Sequence, residues 1–121
     1  IIKKIIAPRI VDYNNLLIAC DIGLSTVMLK SKLLKFDKFS SLKTKEDYLL
    51  WLKLSKKNIK MLGINKTLVS WRKTDNSLSS STIQKFKDAF LIYYKHLNYG
   101  VIRSLYYVLL LSQNFLKKRY L

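Results

Sequence analysis

The chain has 121 residues, a length that suits one small domain or part of a larger one. Half of the residues are hydrophobic, and the chain has 3 glycines and 1 proline, which excludes a disordered or low-complexity protein. The formal net charge of +16 predicts an anionic partner, whether nucleic acid, an anionic membrane surface or a phosphorylated ligand.

The first 75 residues have the pattern of an α/β segment. Residues 1–10 predict a short strand that ends around Pro8, and Asp12 is placed to cap a short helix. Two further stretches rich in β-forming residues predict strands, LSTVMLK at 24–30 and KTLVSWR at 66–72. Two or three strands are few for an independent doubly wound sheet, and the chain opens IIKKII without an initiator methionine. We therefore expect it to begin partway through a domain.

The stretch KTKEDYLLWLKL at 43–54 predicts the main helix of this segment. Thr44 and Asp47 fit a capping box, and the residues that follow are apolar on nearly all sides, so the helix should be buried. Glu46 and Asp47 are adjacent acids in a chain with 7 acids and 23 Lys plus Arg. Two interpretations stay open: the acids stabilise the helix dipole, or one of them is a rigidly held general base. Adjacent helical side chains diverge, so their roles would differ.

The remaining residues predict a helical hairpin. Ser81 and Gln84 form a second capping box, and Gly100 separates the two helices. The first helix carries an apolar stripe at helical spacing: Ile83, Phe86, Phe90, Tyr93, Tyr94 and Leu97. The second helix leads to a basic end, Lys117, Lys118 and Arg119. Its apolar run at 105–111 is much shorter than the ~20 residues that span a bilayer, so no transmembrane helix is expected.

The single cysteine and the single histidine argue against several kinds of site. Cys20 has no partner for an intrachain disulfide and is expected to be a small buried residue. His96 has no second histidine or cysteine cluster beside it in the sequence. Zinc binding and Ser-His or Cys-His catalysis are therefore poorly supported.

Four motifs in order carry a family resemblance: STVM at 25–28, EDYLLWLKL at 46–54, GINKTLVSWR at 63–72 and NSLSSS at 76–81. This order resembles the C-terminal half of family 2 glycosyltransferases with the GT-A fold. It is especially similar to bacterial enzymes that build O-antigen, capsule or other surface polysaccharides. The resemblance implies an α/β fold in which residues 1–75 form the acceptor and catalytic-base portion of a Rossmann-like GT-A domain. Residues 76–121 would then be a helical hairpin able to associate with a membrane.

The resemblance also implies a reaction and a set of site residues. The reaction is an inverting sugar transfer from a nucleotide-sugar donor to a saccharide or lipid-linked acceptor. Asp47 matches the catalytic base, and Glu46 matches its acidic neighbour, which would orient the acceptor or the loop. The candidate substrate-binding residues are Ser25, Thr26, Trp51, Arg72, Ser77 and Ser79.

These candidates have different expected roles. Ser25 and Thr26 match a segment near the acceptor side of the cleft. Arg72 and the serine loop match a region that closes over the donor diphosphate, with a solvated basic strand end and a simple turn as the alternatives. For Trp51 the alternative to substrate contact is packing in the core.

The chain departs from the family pattern in two ways. Trp71 stands where a tyrosine is usual, a mild change. No D-x-D motif is present, although in the family that motif holds a divalent metal, Mg²⁺ or Mn²⁺, on the donor diphosphate. We expect the motif upstream in the full-length enzyme, and we expect this chain alone to bind no metal and to be inactive.

Two other functions compete with the transferase hypothesis. A basic helical interaction module would bind a membrane surface or a partner protein through the hairpin. A nucleic-acid-binding module fits the charge, but the lysines are scattered along the chain and no zinc or RNP-type motif occurs, so no nucleic-acid partner is expected. The transferase hypothesis predicts a cytoplasmic protein held peripherally at the inner face of the cytoplasmic membrane, where basic residues meet anionic lipid.

Overall fold

The computed structural model describes residues 4–72, 74–76 and 81–120, without the side chains of 119 and 120. It has four α-helices, α1 (Tyr13–Ile18), α2 (Glu46–Lys56), α3 (Thr82–Leu91) and α4 (Val101–Tyr120), within those residues. Two short strands, β1 (Ile10–Val11) and β2 (Met61–Leu62), flank α1 and α2 in the chain. Two 3-10 helices, Leu24–Thr26 and Ser31–Lys35, and a π-helix, Ile92–His96, complete the regular structure described.

Helix α2 lies at the centre of the core. Its residues from Tyr48 to Leu52 are all buried, and so is Leu54, as the apolar sequence predicted. The same core includes Leu16 and Leu17 of α1 and buried residues of α3, the π-helix and α4. Residues on both sides of position 75 therefore share one core, while the division of the chain at that position stays a prediction.

Two of the predicted helix starts are confirmed in detail. The Asp12 carboxylate accepts a hydrogen bond from the Asn15 amide at 2.8 Å and caps α1. The Ser81 hydroxyl accepts one from the Gln84 amide at 3.3 Å and caps α3. The Gln84 side chain does not complete a capping box, because its amide group donates to Asp88 instead.

The sheet is smaller than the sequence predicted. β1 and β2 pair antiparallel, with Ile10 opposite Leu62 and Val11 opposite Met61. Gly63 follows β2, and its backbone passes close to Pro8, which precedes β1. A Cβ atom at this position would lie 2.0 Å from the Pro8 carbonyl oxygen, so only glycine fits. The described residues therefore show a helix-rich fold with two short strands, rather than the predicted Rossmann-like sheet.

Both predicted β-rich strands are wrong. Residues 24–30 begin with a 3-10 turn, in which the Thr26 hydroxyl donates to the Gly23 carbonyl at 2.7 Å. Residues 66–72 contain no strand. A strand is stable only beside another strand, and these stretches find no such neighbour here: Met28 is 100% exposed and Trp71 is largely exposed.

The apolar stripe predicted for α3 is only partly buried. Ile83 is 76% exposed and Phe86 is also exposed, whereas Asp88, Ala89, Ile92 and Tyr93 form the buried face. These buried residues keep ordinary helical spacing, but they lie on a different side of the helix from the predicted stripe. A π-helix follows α3, in which the Leu97 amide donates to the Ile92 carbonyl at 2.9 Å.

The helical hairpin is confirmed, since α4 packs against both α1 and α3. Within the described residues, no helix combines the length and the apolar character that crossing a bilayer requires.

Candidate active site

The acid pair lies in the first turn of α2. Glu46 and Asp47 are its first two residues, and both are half-buried. The residue before them, Lys45, has a left-handed backbone with φ of 61°, a conformation that costs a non-glycine residue roughly 1 kcal/mol. The chain therefore enters α2 through a sharp turn, and this turn decides which groups can reach the start of the helix.

The predicted capping box of Thr44 and Asp47 is wrong. Lys45, not Thr44, is the residue that precedes the helix, and its side chain makes no capping hydrogen bond. The left-handed turn at Lys45 directs Thr44 away from the helix start. Instead, the Thr44 amide and hydroxyl both donate to Oδ2 of Asp88 on α3, at 2.8 Å and 2.6 Å.

The two oxygens of Asp47 have different surroundings. Oδ1 accepts a hydrogen bond from the Tyr48 amide at 2.8 Å, which satisfies one of the open amides of the first helical turn. Oδ2 accepts no hydrogen bond from any group in the described part of the chain. One oxygen thus holds the carboxylate against the first turn of α2, and the other has no hydrogen-bond partner among the described residues, an arrangement compatible with a general base.

The Cys20 thiol, just after α1, lies within electrostatic reach of this carboxylate. Cys20 has an exposed side chain, so the expectation that it is buried is wrong. Desolvation raises the pKa of the Cys20 thiol, the Lys45 ammonium lowers it, and the Asp47 carboxylate raises it, so these groups lie within electrostatic reach of one another. Next to Cys20, Asp21 forms an ion pair with Lys118 of α4. Cys20 thus lies within electrostatic reach of both the start of α2 and Lys118 of α4.

The other predicted site residues lie in different settings. Ser25 and Thr26 are exposed on the 3-10 turn, and Arg72 is exposed after a segment without regular structure. Trp51 is 2% exposed, so its contacts are those of a core residue. Ser77 and Ser79 lie outside the described residues. No hydrogen bond among the described residues joins any of these side chains to the acid pair, and their substrate-binding roles stay predictions.

None of the predicted residues lines either of two surface recesses in the described part. One lies at the connection between α3 and α4, beside Tyr94, Asn98 and Gly100. The other is bordered by Ala19, Asp21 and Lys118, and two of these residues are the chain neighbours of Cys20.

The described residues do not form a metal centre. They contain no group of three His, Cys, Asp or Glu side chains close enough to share an ion. Desolvation and then the charges of Lys53 and Lys95 lower the pKa of His96, which favours its neutral form. The chemistry supported by these residues is that of the carboxylates.

Asp88 is the residue near the site that sequence analysis missed. It is 2% exposed and accepts from Thr44 and, through Oδ1, from the Gln84 side chain at 3.0 Å. The available signal was its spacing of four residues from Gln84 and from Ile92, which places all three along one side of α3. An acid beside Lys87 in a basic helix looks solvated, whereas in the structure Asp88 lies on the buried face of α3.

The chain is similar to two curated bacterial proteins. TuaG of Bacillus subtilis (strain 168), described as a teichuronic acid biosynthesis glycosyltransferase, is 27% identical over 117 residues, which are 97% of this chain and 46% of TuaG. WfgD of Escherichia coli, a UDP-Glc:alpha-D-GlcNAc-diphosphoundecaprenol beta-1,3-glucosyltransferase, is 36% identical over 88 residues, which are 72% of this chain and 34% of WfgD. The chain thus spans about half the length of the first relative and about a third of the second.

Neither a protein-family model nor a solved structure matches the chain. Both curated relatives are glycosyltransferases, and the match to TuaG covers nearly all of the 121 residues, including the acid pair region and the hairpin. The family resemblance of the motifs is confirmed at this level. The chain is therefore a relative of the bacterial glycosyltransferases.

Proposed function

We propose that this chain supplies the acceptor side and the catalytic base of an inverting, family 2 glycosyltransferase with the GT-A fold. The enzyme would act in the synthesis of a cell-surface polysaccharide such as O-antigen or capsule. Two observations support the proposal. The chain is related to glycosyltransferases, and its acid pair begins a buried helix with one Asp47 oxygen free of hydrogen bonds from the described residues.

In the proposed reaction Asp47 accepts the proton of an acceptor hydroxyl. The hydroxyl oxygen then forms a bond to the anomeric carbon of the donor sugar, from the side opposite the nucleotide. The bond from that carbon to the diphosphate oxygen breaks, and the nucleoside diphosphate leaves with the electron pair. Attack from the opposite side inverts the anomeric configuration. Glu46, on a diverging side of the same helical turn, orients the acceptor or the adjoining loop.

The name of the E. coli relative suggests which substrates to test first. It specifies UDP-Glc as the donor and a sugar linked to diphosphoundecaprenol as the acceptor. We accordingly propose a nucleotide-sugar donor and a saccharide or lipid-linked acceptor for this protein. Ser25 and Thr26 would contact the acceptor, and Arg72, with Ser77 and Ser79, the donor diphosphate. Trp51 would support this site from within α2.

A divalent metal, Mg²⁺ or Mn²⁺, would neutralise charge on the leaving diphosphate in an enzyme of this family. The described residues do not fit such an ion, and we propose that a D-x-D motif outside these 121 residues binds it.

A lipid-linked acceptor would require the enzyme to work at a membrane surface. We propose a peripheral location at the inner face of the cytoplasmic membrane, with α4 as the contacting element. The net charge of +16 and the exposed apolar residues of α4 support this location.

The stereochemistry of the product tests the proposed function. The full-length protein that contains this chain is incubated with UDP-glucose, a divalent metal and a GlcNAc-diphospholipid, and the product is analysed by proton NMR. We expect a glucose unit joined with β configuration from the α-linked donor. A product with retained α configuration, or hydrolysis of the donor with no transfer across a panel of nucleotide sugars and acceptors, would contradict the proposal.

A further inference from the structure

Asp88 is a carboxylate buried between two helices. Its side chain is 2% exposed, and it accepts three hydrogen bonds, from the Thr44 amide, the Thr44 hydroxyl and the Gln84 side chain. Burying a carboxylate is costly even when its oxygens are hydrogen-bonded. An apolar residue would fill this position on α3 without that cost, so the carboxylate calls for an explanation beyond packing.

The hydrogen bond from the Thr44 amide to Asp88 uses the donor that Asp47 would otherwise bind. In a capping box, the acid three residues after the cap accepts a hydrogen bond from the amide of the capping residue. The corresponding pair here is Asp47 and Thr44. The Thr44 amide donates to Asp88 at 2.8 Å instead, and Asp47 Oδ1 turns to the Tyr48 amide. Asp88 thus replaces Asp47 as the acceptor for Thr44.

The same contact fixes the turn through which the chain enters α2. Thr44 is held by both its amide and its hydroxyl, one residue before Lys45, whose left-handed backbone requires support from its surroundings. Since Glu46 follows directly, a shift of Thr44 would move the first turn of α2. Asp88 therefore acts on the acid pair from another helix, 41 positions later in the chain than Asp47.

We propose that Asp88 is a positioning residue for the sugar transfer. By holding Thr44, it keeps Asp47 out of a capping box and so sets how the second carboxylate oxygen is presented to the acceptor hydroxyl. This inference rests on the proposed function, because it assigns Asp88 a role in orienting the proposed base. Asp88 itself touches neither the substrate nor the reacting atoms.

The matched variants are Asp88→Asn, Thr44→Val and Thr44→Ser in the full-length protein, with Asp75→Asn as the control. Asp75 is exposed, so its variant removes one negative charge without disturbing a buried contact. We expect Asp88→Asn to lower kcat by about tenfold to a hundredfold and to leave KM for the donor within about twofold, since the base is misplaced while donor binding is intact. Thr44→Val should give a smaller loss of kcat, and Thr44→Ser and Asp75→Asn should resemble the parent.

Two further measurements separate positioning from simple stabilisation. The double variant Asp88→Asn/Asp47→Asn should be no slower than Asp47→Asn alone, because Asp88 acts only through Asp47. Amide hydrogen exchange should become faster at Thr44 in Asp88→Asn, with the exchange of the buried α2 amides unchanged. A purely structural role would instead lower activity in the Asp47→Asn background too, and would speed exchange throughout α2.

The outcomes distinguish this inference from the proposed function. If Asp47→Asn strongly lowers kcat but Asp88→Asn keeps the parental kcat, or if Thr44 exchange does not change, the positioning role is overturned and the function stands. If the parent transfers no sugar, the proposed function fails and the positioning role fails with it. The exchange measurement then still shows whether Asp88 holds Thr44.

Discussion

Two buried tyrosine hydroxyls connect the core helices at the level of single residues. Tyr48 of α2 donates a hydrogen bond to the Leu16 carbonyl, and Tyr93 of the π-helix donates one to the Leu17 carbonyl at 2.7 Å. Their hydroxyl oxygens lie 3.0 Å apart. These bonds join the end of α1 to α2, which carries Asp47, and to the π-helix, which follows directly after α3 and its Asp88. The tyrosines therefore stabilise the framework of the candidate site.

The tyrosines predict a loss of stability at alkaline pH. Burial raises the pKa of Tyr48 and of Tyr93 above the ordinary value of 10.0. Above that pH the unfolded chain releases both phenolic protons and the folded chain keeps them. The free energy of unfolding should therefore fall as pH rises past 10, by up to about 1.4 kcal/mol per pH unit for each tyrosine.

Urea unfolding between about pH 8 and pH 11 measures this loss. Tyr93→Phe should be less stable than the parent by about 1 kcal/mol at neutral pH and should lose less stability above pH 10. Tyr106→Phe, at an exposed tyrosine of α4, is the matched control and should follow the parental curve. Identical pH dependence in the parent and Tyr93→Phe would contradict the buried-phenol explanation.

At the scale of elements, α4 has an apolar face without a partner in the described structure. This outer stripe consists of Ile102, Leu105, Tyr106, Leu109 and Leu116, all exposed. It lies on the opposite side of the helix from the buried residues Ser104, Val108 and Leu111. Such a stripe beside basic side chains is typical of a helix that lies in a membrane interface.

We expect the chain to bind vesicles that contain anionic phosphatidylglycerol at low salt and to bind neutral phosphatidylcholine vesicles much more weakly. Ile102→Asp, at a side chain that is 86% exposed, should weaken binding by roughly tenfold because it removes an apolar contact and adds a negative charge. Met28→Asp changes the charge equally at a fully exposed residue outside α4 and serves as the control. Cosedimentation measures the binding. Equal effects of the two variants, or no binding by the parent, would contradict a membrane contact through α4.

At the scale of the whole molecule, the helices could be predicted from sequence and most strands could not. The apolar run from Tyr48 to Leu54 and the caps Asp12 and Ser81 act through neighbours in the sequence, so local patterns contain the information. The β-rich stretches at 24–30 and 66–72 depend on strand partners from elsewhere. Local sequence preference cannot show whether partner strands exist, and neither stretch forms a strand in the described residues.

The candidate site was predictable only in part for the same reason. Glu46 and Asp47 stand out because adjacent acids are unusual in so basic a chain. Whether Asp47 caps its own helix depends on Asp88, which is distant in sequence and reaches Thr44 only after α3 packs against the core. No sequence pattern predicts the left-handed turn at Lys45 or the π-helix after α3.

The transfer rate of Asp47→Asn shows whether Asp47 is the catalytic base. The variant is compared with Glu46→Gln and with the parent, in the full-length protein at saturating donor and acceptor. We predict that Asp47→Asn lowers kcat by about 10²- to 10⁴-fold with its fold intact by circular dichroism, because the amide cannot accept the acceptor proton, and that Glu46→Gln has a smaller effect. A transfer rate near that of the parent in Asp47→Asn would contradict the role of Asp47 as the base.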